Sequence, residues 1–125
     1  MIPGLIIVDM SILAACLYGI SHDLVTAHLC VEYFTIGHPP VFHTDSPVLL
    51  ALAWGVIATW WVGLLLGVPL ALCSRLGKAP RRTASDLLRP IAYLLAAMAA
   101  TSVIAEIVGH VLAAHGAIYL LPHLA

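Results

Sequence analysis

The sequence predicts an all-α integral membrane helical bundle: three transmembrane helices plus a partial or re-entrant fourth segment. Three observations predict it. Hydrophobic residues fill 62% of the 125 positions and charged residues 9%, with a mean hydropathy of +1.07, against roughly 45–50% apolar and about 25% charged in soluble domains. Three apolar runs are each long enough to cross a hydrocarbon layer of ~30 Å. All five basic residues, Arg75, Lys78, Arg81, Arg82 and Arg89, fall in one connection. The length allows one domain, read here as a single transmembrane domain over 1–125. This composition excludes a soluble globular protein, a disordered chain and a nucleic-acid binder.

The first span covers about residues 3–22 and is broken only by Asp9. It has no Lys/Arg leader, so it reads as a retained helix rather than a signal peptide. The outer connection, 23–46, can continue the helix as far as about Phe34 before Gly37, Pro39 and Pro40 force a turn. The second span, about 47–73, lies in a run of 29 positions (46–74) without a charge. Asp45 or Ser46 can cap it, with Pro47 at the first helical position. At 1.5 Å per residue such a helix reaches roughly 40 Å. Pro69, near its end, marks a kink or an early stop. A basic loop, 74–89, leads to the third span, about 90–114. Thr83 or Ser85 can cap its start, with Asp86 in its first turn. The fourth apolar piece, 116–125, is too short to span. Two readings stay open for it: a re-entrant or interfacial tail, or the opening of a helix that continues past Ala125.

Basic residues are retained on the cytoplasmic side of short loops. Five in one loop and none elsewhere place 74–89 in the cytoplasm. The N-terminus is then cytoplasmic, and the 23–46 connection lies outside in this multi-pass chain. All seven histidines, His22, His28, His38, His43, His110, His115 and His123, gather toward the outer face. Asp9 alone among the acids falls in the inner half of a span; Arg75 or Arg89 could snorkel to it.

Ser102, Glu106 and His110 are spaced four apart on the third helix, and Tyr18, His22 and Thr26 on the first. If the two helices are neighbours, His22, Glu106 and His110 meet at similar depth. His with carboxylate is a ligand set for zinc, manganese or non-haem iron, and facing histidines can hold haem in a bundle. The plainer reading of the same groups is an interhelical hydrogen-bond network. No HExxH is present. Cys16, Cys30 and Cys73 lack CxxC or CxxH spacing and read as small apolar side chains. The segment EYFTIGHPPVFH reads as an interfacial loop on the headgroups, or more sharply as an outer cap with Glu32 and His38 turned inward. In the second span, Gly63 and Gly67 form GxxxG and are expected to pack on a neighbouring helix. Trp60 and Trp61 lie near mid-membrane, as packing residues or as a flat face toward lipid, quinone, pigment or another subunit. Ala92, Ala96 and Ala100 give the third helix a small-residue row.

The blocks HDLVTAHLCVEYFTIGHPPVF (22–42) and DSPVLLALAWGVIATWWVGLLLGVPLAL (45–72) resemble a group of small bacterial inner-membrane proteins with no established activity. HD-x-VTA and EYFTIGHP are the specific parts, and the resemblance covers about 19–90. It implies a small multi-helix protein of the bacterial inner membrane and carries over no catalytic residues. Two function classes follow. The first is a non-catalytic integral subunit or interaction protein of a respiratory, photosynthetic or transport complex, with lipid and other membrane subunits as partners. The second is a metal- or haem-binding membrane protein, with redox chemistry, on the outer His/Glu/Asp cluster. Three spans enclose few interior positions, so the reading leans against an enzyme.

Overall fold

The computed structural model describes residues 2–119. It is all-helical, and there is no strand among the described residues. The elements are α1 (Ile2–Leu29), α2 (Glu32–Thr35), α3 (Pro47–Ile57), α4 (Trp60–Arg75) and α5 (Ala84–Ala114). Three stretches are long and apolar enough to cross a membrane: Ile2–Leu29, Pro47–Arg75 and Ala84–Ala114. Two compact units divide the chain, one through Ile91 and one from Ala92 on.

In the first unit α1 packs along both α3 and α4, and the reason is written in rows four residues apart. Ile7, Ser11, Ala15, Gly19 and Ala27 share one face of α1. Ala51, Gly55, Thr59, Gly63, Gly67 and Ala71 share one face of α3 and α4. Most of these residues are buried. With such small side chains, the contact is backbone against backbone. A Cβ placed on Gly63 would lie 2.5 Å from the Ile12 Cα and 2.8 Å from the Ser11 carbonyl oxygen. On Gly67 it would lie 2.9 Å from the Ser11 Cβ, and on Gly55 2.6 Å from the Ile20 Cα. Apolar attraction between helices is weak in lipid, so this closeness, with its dispersion contacts, is what holds such a seam. Ser11 keeps its hydroxyl satisfied inside the seam by donating to the Ile7 carbonyl at 2.8 Å.

Several boundaries differ from the expected ones. The second span is one stretch but not one helix: it is interrupted at Ala58 and Thr59. The Thr59 hydroxyl donates to the Gly55 carbonyl, and the Thr59 N–H bonds Val56 rather than the carbonyl four back. A side-chain hydroxyl that competes for backbone carbonyls loosens a helix in this way. Thr59 keeps its own hydroxyl and N–H paired in doing so. Ser46 precedes α3, but its hydroxyl makes no capping bond; Pro47 at the first position removes one orphan N–H instead. Pro69 does not stop α4, which runs on to Arg75. The first helix continues beyond the span expected to end near 22, as the connection allowed, but stops at Leu29 rather than near Phe34.

The basic loop is shorter than the expected 74–89, because α5 starts at Ala84, directly after the expected cap residue Thr83. Thr83 is the reason. Its N–H donates to Asp86 Oδ2 at 2.8 Å, and its Oγ accepts from the Asp86 N–H at 3.4 Å, a reciprocal cap. Leu87 then joins Ile7 and Ala71 in an apolar cluster. At its other end α5 closes on Gly116, whose φ of +69° suits glycine. The Gly116 and Ala117 N–H groups cap the Ala113 and Leu112 carbonyls. Of the expected fourth segment, 116–119 is turn and irregular backbone, and 120–125, with His123, lies outside the described residues.

Candidate functional site

The histidine-rich end of the first unit is where chemistry-bearing side chains collect. His22 and Asp23 occupy the last turns of α1. The His22 Nδ1 lies 3.2 Å from Asp23 Oδ1. Asp23 falls in the seam row between Gly19 and Ala27, and its side chain is only 15% exposed. A carboxylate on Nδ1 favours the tautomer that leaves Nε2 to accept a proton or bind a metal. Tyr18 stacks on His22 with ring centroids 6.1 Å apart, and the Thr26 hydroxyl donates to the His22 carbonyl at 3.2 Å. The four-residue row Tyr18–His22–Thr26 is thus a connected set.

Beyond Leu29 the chain turns back over this end. Phe34 is buried, 3% exposed, against Ala27, Leu50 and Ala51. His38 lies among three aromatic rings: Tyr33 at 4.8 Å, Phe34 at 5.5 Å and Trp54 at 4.7 Å. Its Nδ1 is 2.8 Å from the Tyr33 carbonyl oxygen, which directs an Nδ1–H there and leaves Nε2 as the acceptor. Phe42 meets Trp54 edge-on at 5.6 Å. The connection is therefore a folded aromatic cap, with His38 turned in among rings. Glu32 is exposed and accepts a weak bond from the Cys30 thiol, Sγ to Oε2 3.6 Å; it is not turned inward.

Of the remaining residues singled out in the sequence, Glu106 and His110 lie one turn apart on α5, in the second unit. Within neither unit do three or more His, Cys, Asp or Glu side chains gather as a metal-holding group among the described residues. Gly63 and Gly67 face α1 in the seam. Trp60 and Trp61 are about half exposed, at 47% and 48%. Cys16, Cys30 and Cys73 are free thiols. Asp9 is exposed and makes no ion pair among the described residues, with Arg89 or with Arg75; Arg75 lines a cavity instead.

Two features went unread in the sequence. Gly19 and Gly55 meet across the seam. Their signal was the spacing of four that continues from Gly67 and Gly63 through Thr59. The joining of His38 to Trp54 had no local signal, because 16 positions separate them. No protein-family model, curated protein or solved structure matches the chain.

Proposed function

We propose that the chain is a non-catalytic integral membrane subunit, or interaction protein, of a larger respiratory, photosynthetic or transport assembly. Asp9 carries this reading. Leu5, Asp9, Leu13 and Leu17 form one row of α1, and all four are exposed. Asp9 follows Ile2 by seven residues, roughly 10 Å along the helix. A carboxylate in a leucine row facing hydrocarbon costs a few kcal/mol. A neighbouring subunit that offers a hydrogen-bond donor to this row removes the cost. The second unit supports the same reading by itself. Its one described helical stretch, 92–114, has no core of its own and carries the Ala92, Ala96 and Ala100 row together with Glu106 and His110.

Asp9→Leu tests the reading. The isolated variant is expected to be at least as stable as the wild type. The assembly extracted in mild detergent is expected to fall to the mass of the free 13.3 kDa chain. Asp9→Asn, which can still hydrogen-bond, should retain the assembly. An Asp9→Leu protein with an unchanged assembly mass would overturn the proposal.

The resemblance noted above and the clustered basic residues support a bacterial inner-membrane location with the N-terminus and the 76–83 loop cytoplasmic. Single cysteines at Ala79 and Thr44, in a chain lacking the three native cysteines, test the orientation. The Ala79 position should label from the cytoplasm and Thr44 from outside. Labelling of Thr44 from the cytoplasmic side alone would reverse the topology.

A further inference from the structure

The first unit holds a cavity at its basic end, between the start of α1 and the end of α4. Its volume is about 460 Å³, within the range of about 300–1,000 Å³ typical of small-molecule clefts. Leu5, Val8, Val68 and Leu72 wall it, and among the described residues Arg75 and Arg81 are its only charged lining. The Arg75 Nε is buried and has no hydrogen-bond partner. The enclosed Nε is out of a ligand's reach, so recognition falls to the terminal N–H groups of Arg75 and Arg81, whose planar forks fit a phosphate's oxygens. Asp86 does not serve as their acceptor, since its carboxylate bonds Thr83.

We propose that this cavity is a binding site for one anionic phospholipid, with its phosphate on Arg75 and Arg81 and an acyl chain along the apolar wall. Two features separate this from a bare anion site and from the general attraction of a basic loop to membranes. The wall is apolar, which a hydrated ion would not use. The cavity also opens where α1 begins and α4 ends, the depth at which headgroups meet the chains of spanning helices. The proposal rests on membrane placement of the helices and not on Asp9 or on a partner subunit.

Native mass spectrometry of the purified full chain, released from micelles holding equimolar phosphatidylglycerol and phosphatidylcholine, tests it. The wild type should retain phosphatidylglycerol over phosphatidylcholine on the order of tenfold or more, as two arginines near a lipid phosphate allow. Arg75→Gln with Arg81→Gln should bring the ratio close to one. Lys78→Gln with Arg82→Gln, equal in charge change but outside the cavity, should leave it unaltered. Val68→Phe should lower phosphatidylglycerol occupancy with every charge intact. Equal retention of the two lipids by the wild type would overturn the site. An effect of the Lys78/Arg82 pair as large as that of the Arg75/Arg81 pair would reduce it to loop electrostatics and overturn it too. Displacement of the lipid by millimolar inorganic phosphate would make it an anion site and overturn the lipid assignment.

Discussion

Gly63→Leu is expected to separate α1 from α4 and to destabilise the first unit by about 1–3 kcal/mol, the range for overpacking a close contact. The atoms that meet a new Cβ there are the Ile12 Cα and the Ser11 carbonyl oxygen, at 2.5 and 2.8 Å. Both are backbone, so no side-chain rotation relieves the clash; the helices themselves must part. Parting removes the close approach at Gly67 and Gly55 as well, because all three lie in one row. Gly4→Ala is the control. That glycine is also helical, but no atom lies within 4 Å of its Cβ position, and no loss is expected. Unfolding in mixed micelles with increasing SDS measures both. Equal stability of Gly63→Leu and wild type would mean that the seam does not hold α1 to α4.

Phe34→Ala is expected to have the larger effect, about 3–5 kcal/mol, as for other buried phenylalanines. Phe34 is enclosed by Ala27, Leu50 and Ala51, and it also supports Tyr33 edge-on at 5.0 Å and His38 stacked at 5.5 Å. Its loss leaves His38 and Trp54 without their floor. The same SDS titration, with Trp54 fluorescence read in a Trp60→Phe/Trp61→Phe background, should show both a lower midpoint and a red-shifted emission. An unshifted emission and a loss below about 1 kcal/mol would mean that the aromatic cap stands without Phe34.

The spans were legible because uncharged length is a property of composition. The run from Pro47 to Ser74 needs no tertiary knowledge to be read as crossing a bilayer. The interruption at Thr59 was not legible. A threonine hydroxyl bonds the carbonyl four back in many intact helices, and only the packing of its methyl against Gly19 distinguishes this one. The GxxxG of Gly63 and Gly67 stood out as a motif, but the row runs on from Ala51 to Ala71 and has its counterpart on α1. That counterpart mixes Ile7, Ser11, Ala15 and Gly19, residues too varied to form a motif. The start of α5 was half legible. Thr83 and Asp86 had the spacing of the cap that forms, while the expected loop ran on to 89 and the helix takes up its last residues. The His22–Asp23 pair follows from adjacency. The setting of His38 does not, since Trp54 reaches it only after the chain has turned at Pro39 and Pro40.

Asp9 is also where the functional account is most exposed to test. A photo-activatable cross-linker at Leu13, one turn along the same exposed row, reports directly what covers that face in native membranes. One discrete adduct with a second, distinct polypeptide is expected, lost when Asp9 is replaced by leucine. Adducts with lipid alone, or only within the chain itself, would contradict it.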